Sequence, residues 1–477
     1  MPAPIDPPTP RPTPFPAHAF PLHLVQKYNR PGPRYTSYPT APHFHEAFGP
    51  DDALATIRRS NADAGGGDLS LYVHLPFCRS LCYYCGCHMM VTHRPEKIAR
   101  YLDYVEREID LVSREVAPGR RVVQLHWGGG TPTFLAPEQI ERLMGVLAHR
   151  FEIAPGAEVS IEADPRGLTE AHVEAARRAG FNRISFGVQD LDAEVQLAIG
   201  RIQPVEVVAQ SAAWARQYGF DGISFDLIYG LPHQTVDRFM QTVDQVVEMA
   251  PDRVSVFSYA HVPWLKKHQT AIDTALLPSP EEKLRILLAT TERLAQAGGY
   301  RYIGMDHFAR PGDSLAAAAD AGTMQRNFQG YSTHAGSELY GFGISAISQL
   351  ADAYAQNEKG LPRYYAALDA GRLPAERGYR LTGDDRLRRF VIMRLMSHFA
   401  LDIPAVEERF GIRFDETFAD ALAALAPMEA DGLVTLTPRR IEVTETGRFF
   451  IRNVAMPFDA YLEQPGAAPR PKYSQTV

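Results

Sequence analysis

All four cysteines of this 477-residue chain, Cys78, Cys82, Cys85 and Cys87, fall in one stretch, FCRSLCYYCGC. The first three follow C-x3-C-x2-C, and the fourth comes two residues later. Thiolates are soft ligands that select zinc, copper(I) or iron–sulfur clusters. A disulfide is one reading, but Cys82, Cys85 and Cys87 crowd each other in a short loop, and the cytosol keeps thiols reduced. A structural zinc site is a second; it calls for another ligand pair well separated in sequence, and only His74 or His88 is at hand to complete a set. The third is a [4Fe–4S] cluster on Cys78, Cys82 and Cys85, with one iron open to a non-protein ligand. The spacing and the strand-like run that delivers the cysteines favour the cluster.

Other residues have types suited to ligand binding. Gly129 and Gly130, in LHWGGGTPTFL, lack a Cβ and let the backbone approach a ligand; alone, a glycine run is weak evidence. Glu162, in VSIEADP, is an acceptor-only carboxylate suited to gripping paired hydroxyls, or else a surface charge. Tyr72 and Tyr84 can pack on or hydrogen-bond a planar ligand, although core packing is the commoner fate of tyrosine. Arg30 and Arg34, in KYNRPGPRYTSYPT, suit carboxylates at a cleft mouth, or are solvated loop charges. Gln329, in RNFQGY, is a polar residue in a glycine-bearing loop.

The elements that must position these groups alternate. LYVHLPF, VVQLHW, VSIEA, RISFGV, GISFDLIYG and RVSVFSY read as near-continuous apolar strands. Amphipathic segments separate or follow them at 95–116, 137–151, 169–180, 194–200 with 205–218, 236–249 and 280–297. This is the pattern of parallel βα units, and six in succession fit a partial (β/α)6 TIM-like barrel better than an open sheet. In such barrels the polar residues at the C-terminal strand ends face the active site. The cysteines, Gly128 to Thr131, Glu162 with Asp164, Gln189 with Asp190, Asp226, and Ala260 with His261 all lie at or near such ends.

Around this barrel, assigned to 71–350, the chain divides further. Residues 1–20 are a proline-rich lead expected to be disordered. Residues 21–70 form an ordered arm with a helix at 51–61, stopped by Gly65-Gly66-Gly67. The glycine-rich 330–343 is expected to be a loop facing the cleft. A smaller, mainly helical cap at 351–463 holds helices at 384–399 and 414–430 and a hairpin of 433–436 with 441–444, in a winged-helix-like order. Residues 464–477 form a tail. A net charge of −7 leaves no footprint for nucleic acid. No run of eighteen apolar residues predicts a membrane span, and the N-terminus has no apolar signal core. The expected location is the cytoplasm.

C-x3-C-x2-C with an aromatic residue before the third cysteine, here Tyr84, resembles the signature of the radical S-adenosylmethionine (SAM) superfamily. Within it, KYNRPGPRYTSYPT, LHWGGGTPTFL, RNFQGY and the CGC at 85–87 are similar to the oxygen-independent coproporphyrinogen III oxidase (coproporphyrinogen dehydrogenase) family. The likeness runs from about position 27 into the C-terminal region. It implies a [4Fe–4S] cluster on Cys78, Cys82 and Cys85 and two SAM molecules. It assigns Tyr72, Gly129, Glu162 and Ile347 to the cluster-bound SAM. It assigns Tyr84 (where phenylalanine is common), Gly130, Thr131, Gln189, Arg201, Asp226 and Ala260 to the second. Gln329 and Tyr72 belong near the reacting centre. Cys87 stays outside the cluster, since a fourth thiolate would close the open iron, and its expected part is in substrate or radical handling.

The activity implied is anaerobic oxidative decarboxylation of two propionates of coproporphyrinogen III to vinyl groups. The product is protoporphyrinogen IX, made by 5′-deoxyadenosyl radical chemistry in haem biosynthesis. Expected partners are the substrate and an electron donor such as flavodoxin or ferredoxin, with the protein a monomer. The competing readings are a haem-binding chaperone on the same barrel, another radical SAM tetrapyrrole enzyme such as one of anaerobic haem degradation, and a zinc-stabilised barrel.

Overall fold

Along each central strand, residues buried beneath helices alternate with polar residues. Val159, Ile161 and Ala163 are buried while Glu158, Ser160 and Glu162 between them are only partly so. Ile184, Phe186 and Val188 alternate in the same way with Ser185, Gly187 and Gln189. Successive side chains of a strand point to opposite faces, so the sheet has an apolar outer face and a polar inner one. The near-continuous apolar reading of these strands missed that alternation.

The computed structural model describes residues 21, 23–62, 67–462 and 473–476. The expected proline-rich lead at 1–20, Gly65, Gly66 and most of the 464–477 tail lie outside the described residues. The main sheet holds twelve strands. They are β1 (Leu69–Leu75), β2 (Arg121–Gly129), β3 (Glu152–Ala163), β4 (Arg183–Gln189), β5 (Gly222–Tyr229) and β6 (Arg253–Ser258), then β7 (Arg301–Gly304), β8 (His307–Ala309), β9 (Glu338–Phe342), β10 (Ile347–Gln349), β11 (Ala353–Asn357) and β12 (Ala375–Arg380). Their spatial order is β12-β11-β10-β9-β1-β2-β3-β4-β5-β6-β8-β7. Strands β1 to β6 pair in parallel and in sequence order, the expected partial (β/α)6 barrel. Antiparallel strands extend both edges.

The connecting helices are close to those expected: Pro95–Ser113, Pro137–Arg150, Glu170–Arg178, Val205–Gln217, Val236–Met249 and Pro280–Gln296. Local chemistry sets their ends. Ser279 caps the last by accepting Glu282 N–H at 3.1 Å, with Pro280 at its first position. Their apolar faces cover Leu125, Trp127, Ile161, Phe186, Phe225 and Val254 in the larger core.

The glycine-rich 330–343 departs from expectation. Residues Glu338–Phe342 are not a loop but strand β9, paired in parallel with β1, and Leu339, Tyr340 and Phe342 are buried. The glycines there reflect tight packing. A Cβ on Gly343, at φ +91°, would lie 2.3 Å from Tyr101 Oη. The RNFQGY string forms a hairpin, Gln325–Asn327 with Gly330–Ser332. The sheet also runs on past position 350 through β11 and β12, so the boundary expected there falls within it.

The second core joins the C-terminal region to the arm: Tyr28, Tyr35 and Tyr38 pack with Leu395, Phe399, Phe450 and Phe458. The helix expected at 414–430 is two, Phe414–Thr417 and Ala419–Ala430. Phe418 leaves helical geometry between them, its ring packed 4.8 Å from Phe414 and 5.3 Å from Phe458. The expected hairpin gains a third strand, Ala400–Asp402. The C-terminal segment docks on the arm, where Gly32 N–H donates to Ser474 O at 3.0 Å and Thr476 N–H to Arg30 O at 2.9 Å. Among the described residues no helix is long and apolar enough to cross a membrane.

Candidate active site

The polar inner residues and the C-terminal strand ends border one cavity of about 540 Å³, within the range of small-molecule sites. Cys78, Cys82, Cys85, Cys87, Tyr84, Gly129, Gly130, Thr131, Glu162, Gln189, Arg201, Asp226, Ala260 and Gln329 all line it. Two expected residues do not. Tyr72 lies behind His126, stacked on it at 6.0 Å between ring centroids. Ile347, in β10, packs beside Phe44 and Tyr354.

The cysteine loop is fixed from outside. Gly130 N–H donates to Leu75 O at 2.8 Å and Thr131 N–H to Phe77 O at 2.8 Å. The segment after β6 grips the far side: Lys266 Nζ donates to Cys87 O (2.8 Å), His268 Nε2 to Cys85 O (2.7 Å) and Gln269 Nε2 to Tyr84 O (2.9 Å). These three anchors were not anticipated, because nothing in LKKHQT marks a residue that reaches back to a loop at least 179 positions earlier.

Two guanidinium groups converge on Cys82 Sγ, Arg166 at 3.5 Å and Arg201 at 3.6 Å. Asp164 holds both, accepting from Arg166 at 2.6 Å and from Arg201 at 3.1 Å. Burial alone would raise the Asp164 carboxyl, but Arg201 and Arg166 hold it below its ordinary range. Burial lifts the Cys78 thiol to about 11, whereas a hydrogen bond from Cys87 lowers Cys85 to about 6. Among the described residues no three His, Cys, Asp or Glu side chains gather tightly enough to hold a single metal ion. Three soft thiols on one wall are donors of the kind that can each meet a separate iron of a cluster, with the two guanidinium groups at Cys82 beside them to balance an anionic group.

Glu162 is aimed by its neighbours. Its Oε2 accepts Gly129 N–H at 3.1 Å, and its Oε1 lies 3.2 Å from His126 Nε2, while His126 Nδ1 lies 2.6 Å from Ser160 Oγ. A Cβ on Gly128 would come within 2.9 Å of the Glu162 carboxylate. His74 is buried and its imidazole is lowered to about 4 by burial, so the ring is neutral at pH 7. Its Nε2 lies 2.8 Å from His88 O, which places the proton there and leaves Nδ1 to accept the Tyr72 hydroxyl at 3.0 Å. Asp226, within range of Glu162's charge, is raised to about 6, chiefly by burial, and accepts Ser185 Oγ–H at 3.0 Å. His126, Ser160, Ser185 and Arg166 were missed, although the period-2 polar positions of each strand would have marked the first three.

Of the two arm cations, Arg30 is exposed, whereas Arg34 is paired with Asp306 and is not a free cation. Gln329 reaches the cavity from the turn of the Gln325–Ser332 hairpin, its Nε2 buried without a partner.

Two family models match this chain: the radical SAM superfamily over residues 72–246 and the HemN C-terminal domain over 381–450. The oxygen-independent coproporphyrinogen III oxidase of Salmonella typhimurium is 49% identical over 446 residues, covering 93% of this chain and 96% of that one. The Pseudomonas aeruginosa protein of the same name is 47% identical over 92% of this chain and 95% of its own length. The solved structure of Escherichia coli coproporphyrinogen III oxidase (HemN), a radical SAM enzyme, superposes with a TM-score of 0.88 at 46% identity, covering 93% of this chain and 99% of that one. Membership in the superfamily implies a [4Fe–4S] cluster and SAM. With nearly half of its residues identical along nearly the whole length of these relatives, this chain belongs to the oxygen-independent coproporphyrinogen III oxidase family of radical SAM enzymes.

Proposed function

We propose that this chain oxidatively decarboxylates two propionates of coproporphyrinogen III to vinyl groups without oxygen, yielding protoporphyrinogen IX. The observation that carries this reading is the convergence of three thiols, the Glu162 carboxylate and the unpartnered Gln329 Nε2 on one polar cavity. A bound cluster and SAM would supply one-electron chemistry able to remove a hydrogen atom from a substrate carbon.

The protein's part is placement. Cys78, Cys82 and Cys85 hold the cluster, and Arg166 and Arg201 offset its negative charge at Cys82. Glu162, held by His126 and Gly129 N–H, accepts the ribose hydroxyls of one SAM beside Gly129. Tyr72 acts from behind, by fixing His74 and stacking on His126. The second SAM takes Tyr84, Gly130, Thr131, Gln189, Arg201, Asp226 and Ala260, all of which border the same cavity. Cys87 acts on substrate rather than on iron, and Gln329 orients the reacting side chain.

The test is anaerobic purification with iron and sulfide analysis, followed by turnover with coproporphyrinogen III under reducing conditions. Protoporphyrinogen IX and 5′-deoxyadenosine are expected together. Retention of haem with neither product, or zinc in place of iron, sinks the reading.

A further inference from the structure

Four cations gather where the arm, the barrel and the cap meet, with Asp306 as the carboxylate among them. Arg34 pairs with Asp306. The others bond to carbonyl oxygens: Arg326 Nε to Arg34 O at 3.3 Å, Arg452 to Pro33 O at 2.9 Å and Gln475 O at 2.7 Å, and Lys283 Nζ to Tyr259 O at 3.3 Å. Arg326 and Arg452 are each 5% exposed, and Arg326 Nη1 is buried without a hydrogen-bond partner. Burial among like charges lowers Lys283 to about 8 and Arg452 to about 9. Such a surplus of buried positive charge is costly unless an anion joins it.

The cluster adjoins the active-site cavity. Arg326 lies 5.0 Å from the ring centroid of Tyr331, Lys283 is tied to Tyr259, and His307 follows Asp306. Tyr331, Tyr259 and His307 all line the cavity. His307 extends the sheet beyond β6, at the opposite edge of the parallel strands from β1 and its cysteines. Its Nδ1 is also buried without a partner.

We infer that Arg326 and Lys283, reached past His307 and Tyr331, form a carboxylate seat that holds the propionates of the tetrapyrrole remote from the one reacting. This rests on the substrate class proposed above and assigns it residues. Arg452 holds the arm's backbone and is a strut. Arg326 is the planar fork suited to a carboxylate. Lys283 is a point charge at the less buried side.

The experiment measures binding of coproporphyrin III, the stable oxidised tetra-acid, and of its tetra-amide to anaerobic holoenzyme by fluorescence. Arg326→Met and Lys283→Met should each weaken the tetra-acid about tenfold, the loss of one charge-assisted hydrogen bond. Both should leave tetra-amide binding and the iron content unchanged. Arg326→Lys, which keeps the charge but not the fork, should recover only part of the tetra-acid affinity. Unchanged tetra-acid binding in both methionine variants, or equal loss for acid and amide, overturns the seat while the proposed reaction stands. A wild-type protein that neither binds nor converts the tetrapyrrole brings down both.

Discussion

Glu108 lies in the Pro95–Ser113 helix at 2% exposure and accepts three hydrogen bonds, from Gly343 N–H at 2.8 Å, Asn357 Nδ2 at 2.6 Å and Tyr364 Oη at 2.6 Å. It fixes the turn after β9, against which Tyr101 packs, and Tyr101 donates to His74 O at 2.7 Å. Burial raises the Glu108 carboxyl from 4.5 to about 7, against the pull of those donors. The folded value lies above the unfolded one, so the native state binds the extra proton. The stability this group contributes is therefore complete below pH 4.5 and is lost as pH rises through 7. The loss is about 3 kcal/mol in all, most of it between pH 5 and pH 8. Glu108→Gln has no such proton to release. Urea unfolding of both proteins at four pH values across that interval isolates the term, because every other titrating group is common to both. The stability of the variant relative to wild type should climb by about 2 to 3 kcal/mol from pH 5 to pH 8. Parallel pH profiles would show that Glu108 carries no raised affinity for a proton, and the buried-carboxyl reasoning would fail.

Three further outcomes are expected. Gly130→Ala places a Cβ 2.6 Å from Pro76 C and 2.8 Å from Phe77 O; backbone must move, so bound iron should fall several-fold by colorimetric assay, and full iron retention would contradict the packing. Cys87→Ser should retain iron and sulfide while turnover is lost; equal loss of iron would make Cys87 a ligand. Glu162→Gln should weaken SAM about tenfold by equilibrium dialysis, one charge-assisted hydrogen bond's worth, with iron unchanged; undiminished affinity removes Glu162 from the ribose.

Much of the architecture was legible because its signals are local. The Val236–Met249 helix was read to the residue, since its apolar face repeats with helical period and Thr235 and Ala250 close its ends. Six strands separated by helices dictated the parallel order. Less legible were elements whose reason lies elsewhere in the chain. The β9 strand looked like a loop because Gly343, just past its end, answers to Tyr101 far away in sequence, and Gly341 to the backbone of the adjoining strand at Ile347. Arg34 looked like a free cation because its partner Asp306 stands 272 positions away.

The order of residues alone determined the ligand chemistry: three thiols at fixed short spacing can meet a cluster in almost any fold that presents their loop. Tertiary structure alone decided which polar groups surround it. Strand register sets His126 beside Ser160 and Asp226 beside Ser255, and only closure of the chain brings Arg166 and Arg201 onto Cys82 and Lys266 onto Cys87. Spacing is a property of the chain, whereas electrostatics depend on distances through space, and those exist only once the barrel has formed.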